Sequence, residues 1–138
     1  RRFEVKWRTL EMELMAPASQ ICRVCHSDKT AKEGETLHPA LEMSECTDCH
    51  TPHTSSHERL LKEKESQICA GCHEDSHVVK HPVDVKPSLK IKAKGSQARL
   101  VDGEVTCTSC HNPHKAKGPF LLEGSMAGGE LCRACHEF

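Results

Sequence analysis

The chain has 138 residues, a formal net charge of -1, three Phe, one Trp and no Tyr. A domain of this length normally offsets its chain entropy with a substantial apolar core, and these side chains cannot supply one. No segment is long and apolar enough to cross a membrane, which excludes an integral helical membrane protein over this stretch.

Residues 1–19 form an N-terminal arm outside the repeated part of the chain. Phe3, Val5 and Trp7 alternate with charged residues, which predicts a short strand with one apolar face. Two roles stay open for it: covering the protein's own interior, or pairing with a neighbouring subunit. Because the chain begins at Arg1 without an apolar leader, we expect either a removed export signal or a trimmed sequence.

Five copies of the motif C-x-x-C-H follow and contain all ten cysteines. In chain order, the cysteine pairs are Cys22/Cys25, Cys46/Cys49, Cys69/Cys72, Cys107/Cys110 and Cys132/Cys135. Two thiols at this spacing can add to the two vinyl groups of one haem, and the next residue offers its imidazole to the iron. These proximal histidines are His26, His50, His73, His111 and His136. The motifs predict five covalently attached haem c groups, numbered here one to five in chain order.

Other chemistry for cysteine pairs explains the pattern less well. Structural zinc closes a tetrahedron with two C-x-x-C knuckles, so five pairs leave one unmatched. Thioredoxin-like redox chemistry needs one pair in a βαβ setting, and a disulfide framework gives no reason for the histidines.

The motifs repeat as two-motif units. Each unit has an odd-numbered motif, a His-Pro pair, an even-numbered motif with Pro-His directly after it, and then Leu-Leu. We predict dihaem unit one at 20–66, dihaem unit two at 67–129 and a single-haem C-terminal half unit at 130–138.

The predicted fold is dominated by haem and has little regular secondary structure. Short α-helices, expected after the odd-numbered motifs, and loops would wrap around a chain of five stacked haems. An insertion at 84–105 has alternating apolar residues and Gly-Ser and Asp-Gly turn signals, which predict a small exposed β-hairpin. Its lysines either dock an acidic partner or are simply solvated.

Six histidines lie outside the proximal positions: His38, His53, His57, His77, His81 and His114. Five six-coordinate irons need five distal ligands, so the supply exceeds the need by one. His53 follows His50 by three residues, which span about 10 Å when extended. That is too short to pass around the porphyrin edge, so His53 must serve a neighbouring haem, and the same holds for His114.

Self-contained units would pair the satellites within each unit. His53 would then ligate haem one and His38 haem two. In unit two, His114 would ligate haem three and His81 haem four. The alternative is that His38 and His81 serve the odd-numbered haems just upstream, whose proximal histidines lie 12 and 8 positions before them.

The half unit carries no satellite histidine, so the distal ligand of haem five must come from elsewhere. Within one chain we favour His77, which leaves His57 as a surface histidine. The alternative is that His57, or a unit-one histidine displaced by it, reaches haem five of an adjacent subunit. Such a contact would join chains into a continuous wire.

The paired motifs with their His-Pro and Pro-His satellites resemble the doubled C-x-x-C-H family of multihaem cytochromes c, over roughly residues 20 to 138. The resemblance implies an electron carrier that is exported to the periplasm or the cell exterior, with other redox proteins as partners. It also raises a homopolymer, because relatives of some multihaem cytochromes polymerise into haem filaments.

The predicted function is low-potential electron transfer along five closely spaced bis-histidine haems in anaerobic or extracellular respiration. No methionine occupies a repeated position from which it could raise the potential. The alternative is a subunit of a conductive extracellular filament, joined through haem–haem contact and the N-terminal arm. A multihaem reductase is less favoured, because such enzymes usually carry C-x-x-C-K, which is absent here, so we expect no catalytic residue. About two propionates per haem would make the loaded protein acidic, which argues against nucleic acid.

Overall fold

The computed structural model describes residues 16–74, 81–87 and 99–136. Within them, regular structure is limited to short pieces. The α-helices are α1 Ala18–Cys25, α2 Ala40–Met43, α3 Cys46–Cys49, α4 Glu65–Ala70 and α5 Glu130–Arg133. Single 3-10 turns lie at Ser27–Lys29, Glu58–Leu60, Cys107–Ser109, Pro119–Leu121 and Ala127–Gly129. Two strands complete the set, β1 Thr36–Leu37 and β2 Lys115–Ala116. The prediction of little regular secondary structure is confirmed.

We had expected helices to follow the odd-numbered motifs. Instead, α1, α4 and α5 lead into these motifs, and α3 spans the two cysteines of motif two. Helix α1 ends at Cys25, α4 begins four residues before Cys69, and α5 contains Cys132. Two cysteines three residues apart on a helical turn lie on one face, so the helix presents both thiols to the same side. The spacing of the motif therefore suits a helical turn, which places the helix at the motif itself.

Strands β1 and β2 form a small antiparallel sheet that joins the two predicted units. Thr36 lies opposite Ala116 and Leu37 opposite Lys115. The pairing extends one residue further, because the His38 N–H donates to the His114 carbonyl at 2.8 Å. A side-chain pair, Lys115 Nζ to Glu35 Oε2 at 2.7 Å, closes the side of the sheet.

The described residues build almost no apolar core. Ala18 and Ala116 are their buried hydrophobic residues, while Phe120 is 85% exposed. The buried polar residues, Glu65, Thr106, Thr108 and Ser109, come together at the start of α4 and at the turn that carries Cys107. The composition predicted this shortage of apolar packing.

The two ends of the insertion at 84–105 are paired. Val85 forms an antiparallel bridge with Val105, and Asp102 and Gly103 both have positive φ in a tight turn between Val101 and Glu104. Asp-Gly favours a two-residue turn of this kind. The alternating apolar residues at 89–93, which predict one strand of the hairpin, lie outside the described residues. The predicted strand in the N-terminal arm also lies outside them. No helix within the described ranges is long and apolar enough to cross a membrane.

Candidate haem-binding site

All five motifs are closed by the same backbone hydrogen bond. In each, the histidine N–H donates to the carbonyl of the first cysteine, at distances of 2.8 to 3.0 Å. The histidines are His26, His50, His73, His111 and His136. One helical turn therefore fixes the two thiols and the imidazole relative to each other, whether the motif lies in an α-helix or in a 3-10 turn.

None of the ten cysteines is paired in a disulfide. Burial raises the pKa of Cys46, Cys49, Cys110 and Cys135, so these thiols stay protonated at neutral pH. The described residues hold no group of three or more His, Cys, Asp or Glu side chains arranged to bind a metal ion on their own. A zinc site built only from protein ligands therefore finds no support in these ranges.

Successive motifs lie near one another in space. Besides burial, the nearby Cys22 of motif one raises the pKa of Cys46 of motif two. Cys69 and Cys107 repeat this contact between motifs three and four, and their mutual hydrogen bond raises the pKa of Cys69 and lowers that of Cys107.

The same holds for the remaining neighbours. Besides burial, the nearby Cys72 of motif three helps to raise the pKa of Cys49, and the nearby Cys135 and Cys132 of motif five help to raise that of Cys110. Each motif therefore has thiols of the next motif in its vicinity.

The histidines of the two even-numbered motifs are held by a turn that comes nine residues later. His50 Nδ1 lies 2.9 Å from the Arg59 carbonyl, and His111 Nδ1 lies 2.7 Å from the Phe120 carbonyl. A carbonyl only accepts, so each Nδ1 is the donor and Nε2 is left as the nitrogen that can bind a metal. Sequence reasoning noted the repeated Leu-Leu at 60 and 121 but assigned it no role, although its recurrence was the signal of this turn.

Three satellite histidines face three motif histidines. His38 and His73 have ring centroids 5.9 Å apart, with an angle of 74° between the rings. His50 and His114 are 6.1 Å apart and nearly parallel, at 12°. The third pair joins His81 to His136 at 6.1 Å and 66°.

The spacing of these rings matches two imidazoles that share one metal ion. Two metal–nitrogen bonds of about 2 Å, plus the distance from each nitrogen to its ring centre, separate two centroids by about 6 Å. Each pair also combines a motif histidine with a satellite, as axial ligation of haem requires. The residues therefore fit the haem that the motifs predict.

The structure brings different rings together than self-contained units would. His38 of unit one faces a motif histidine of unit two, and His114 of unit two faces a motif histidine of unit one. The alternative assignment of His38 and His81 to the haems just upstream is not the one seen either. The physical reason is the β1–β2 sheet, which places His38 beside His114 and directs the two rings to opposite units.

The two satellites beside the sheet are neutral. Burial lowers the pKa of His114 to about 4, and it also lowers that of His38, helped by the nearby His73. A neutral imidazole is the form that binds a metal.

The other predicted ligands are less constrained. His53 and His57 are exposed, and neither faces another ring among the described residues. His26 is also exposed, and no described histidine ring faces it. His77 lies outside the described residues.

Comparison with known proteins agrees with this site. The sequence model of the doubled CXXCH motif family matches residues 38–78 and 99–138, which together are more than half of the chain. The multiheme cytochrome MtrA of Shewanella baltica (strain OS185) is 27% identical over 118 residues, which cover 86% of this chain and 32% of that protein. The chain thus spans about a third of the length of this curated relative. No solved structure matches. The chain belongs to the doubled CXXCH motif family of multihaem c-type cytochromes.

Proposed function

We propose that the chain carries five haem c groups and passes electrons along them at low potential, in anaerobic or extracellular respiration. The observation that carries the proposal is the set of three ring pairs at 5.9 to 6.1 Å, each joining a motif histidine to a satellite. Two imidazoles on one iron, with no methionine ligand, favour a low reduction potential. The bound haems would supply the electron-transfer centres, and the polypeptide holds and spaces them.

The ring pairs support three axial assignments. His50 and His114 would hold haem two, His73 and His38 haem three, and His136 and His81 haem five. The distal ligands of haems one and four would then come from the three histidines left over, His53, His57 and His77.

The cysteine contacts support a continuous path. Motifs that follow one another in the chain have thiols close enough to shift each other's pKa. Haems attached at these points would be stacked in chain order, and close spacing favours rapid electron hopping. We place the protein outside the cytoplasm, in the periplasm or beyond it, with other redox proteins as donors and acceptors.

One substitution tests the axial assignment directly. His114→Ala should convert one haem from low-spin to high-spin, because His50 would lose the ring opposite it. Electron paramagnetic resonance of the oxidised protein measures the change, and Lys117→Ala, an exposed residue on the same segment, is the matched control. Five haems by reduced pyridine assay and an unchanged low-spin spectrum in His114→Ala would refute the assignment.

A filament subunit is the second candidate, and the crossing of satellites between units favours it. His114 of unit two faces unit one, so its counterpart in unit one, His53, would by the same rule face a unit placed before unit one. His53 is exposed and could reach such a unit in a neighbouring copy. Electron microscopy of the native material tests this. Filaments that dissolve in His53→Ala, with loss of one low-spin haem, would support it, and a monodisperse native protein would exclude it.

A reductase is the least supported function. It requires an iron with an open position, and the three ring pairs would leave none at haems two, three and five. Rapid binding of cyanide or carbon monoxide at one haem of the native protein would favour catalysis over electron transfer.

A further inference from the structure

Two turns of this chain share a backbone conformation that ordinary residues avoid. In the turn Glu58–Leu60, Arg59 and Leu60 have φ of 58° and 57°. In the turn Pro119–Leu121, Phe120 and Leu121 have φ of 55° and 57°. Left-handed backbone is rare outside glycine, and two consecutive non-glycine residues adopt it here in both units. Backbone strain that recurs at equivalent positions indicates a functional role.

Both turns are attached to a haem motif by the same hydrogen bonds. In unit one, the Thr51 N–H donates to the Leu60 carbonyl at 2.7 Å, and the Lys62 N–H donates to the Cys49 carbonyl at 2.9 Å. Unit two repeats both bonds. The Asn112 N–H donates to the Leu121 carbonyl at 2.8 Å, and the Glu123 N–H donates to the Cys110 carbonyl at 3.0 Å.

The left-handed pair aims one carbonyl at the proximal histidine. The Arg59 carbonyl receives His50 Nδ1 and the Phe120 carbonyl receives His111 Nδ1. These two residues have unlike side chains, a cation and an aromatic ring. The repeated feature is therefore the backbone carbonyl and not a side-chain contact.

We propose that these two turns are positioning devices that set the potential of haems two and four. A hydrogen bond from Nδ1 to a carbonyl fixes the ring and raises the basicity of the opposite nitrogen, which favours ferric iron and lowers the potential. Motif one differs, because its histidine is followed by the 3-10 turn Ser27–Lys29, and His26 Nδ1 has no carbonyl partner among the described residues. The even-numbered haems would thus differ in potential from haem one. The inference rests on the proposed electron-transfer function.

Proline and glycine at one position provide the test. Phe120→Pro fixes φ near -65° and removes the left-handed backbone, so the carbonyl must turn away from His111. Phe120→Gly accepts the native φ and keeps the carbonyl in place, which makes it the matched control. A potentiometric titration followed by electron paramagnetic resonance should show that Phe120→Pro shifts the ferric–ferrous equilibrium of one haem about tenfold toward ferrous, a rise of about 59 mV. Phe120→Gly should leave it unchanged.

The outcomes separate this inference from the proposed function. If all haems of the Phe120→Pro protein stay low-spin and no potential moves, the positioning role is refuted while bis-histidine ligation stands. Native haems two and four that are not six-coordinate would refute the function itself. If Phe120→Pro does not fold, proton exchange in the native protein decides. Nδ1 protons of His50 and His111 that exchange far more slowly than that of His26 support the role, and equal rates overturn it.

Discussion

In both pairs of motifs a carboxylate links the odd motif to the even motif. In the first pair the carboxylate precedes the even motif, and in the second pair it precedes the odd motif. In unit one, Glu45 precedes the even motif and accepts the Ser19 N–H of α1 at 2.6 Å. At unit two, Glu65 lies two residues before the predicted start at 67, begins α4 and accepts both the N–H and the hydroxyl of Thr108, each at 2.8 Å. Aligning the motifs puts Ala18 at the position of Glu65.

The link between the odd and even motifs, called the joint below, is present in both pairs of motifs, but different residues form it. At both places a carboxylate bridges two motif segments, and either segment can supply it. The two versions differ in burial, because Glu65 is 8% exposed and Glu45 is half-buried. They also differ in charge, since Arg59 Nη1 lies 3.6 Å from Glu65 Oε2.

Removing each carboxylate in turn should show this difference most strongly. Glu65→Ala leaves the buried N–H and hydroxyl of Thr108 without their acceptor, and we expect a loss of about 2 kcal/mol of unfolding free energy. Glu45→Ala removes a more exposed bond and should cost about 1 kcal/mol. Urea unfolding of the haem-loaded proteins, followed by circular dichroism, measures both. Equal losses would mean that burial of the joint has no effect.

A transplant would sharpen the comparison. Ala18→Glu combined with Glu45→Thr gives unit one the carboxylate placement of unit two, and it should recover more than half of the roughly 1 kcal/mol lost in Glu45→Ala. The single variant Glu45→Thr is its control. A double variant no more stable than that control would show that the two joints are not equivalent.

The turn residue Arg59 is the next difference between the units, because Phe120 occupies its place in unit two. Arg59 Nη1 lies 3.4 Å from the Thr108 hydroxyl, so it links unit one to the joint of unit two. Arg59→Phe should cost less than about 1 kcal/mol, since the guanidinium is partly exposed and its Nε is buried without a hydrogen-bond partner among the described residues. The same urea titration measures the loss. A loss larger than that of Glu65→Ala would contradict this ranking.

The smallest effect concerns the pair that closes the sheet between units. The hydrogen bond from Lys115 lowers the pKa of Glu35. The folded protein then binds fewer protons at this carboxyl than the unfolded chain does, so its contribution is present above the unfolded pKa and is lost as the pH falls through the folded pKa. Lys115→Ala should make stability less dependent on pH in the acid range. Unfolding midpoints compared between neutral and acid pH test this, and an unchanged slope would contradict it.

Sequence alone predicted the motifs, the proximal histidines, the scarcity of regular structure and the set of satellites. It left open which ring faces which. That pairing depends on β1 and β2, and strands of two residues carry no periodic signal. The sequence also did not predict the left-handed turns. Such backbone usually occurs at glycine, and neither Arg59 nor Phe120 is one. Only the repeated Leu-Leu pointed to that turn.

The sheet between Thr36 and Ala116 has a consequence for the order in which the chain can mature. It closes a loop of about 80 residues, so β1 has no strand to pair with until β2, at Lys115–Ala116, has been made. His38 and His114 therefore take their positions late, after four of the five motifs have been synthesised. Before β2 is made, the segment that carries β1 would stay open, with its cysteines accessible. It would become ordered only when β2 pairs with it.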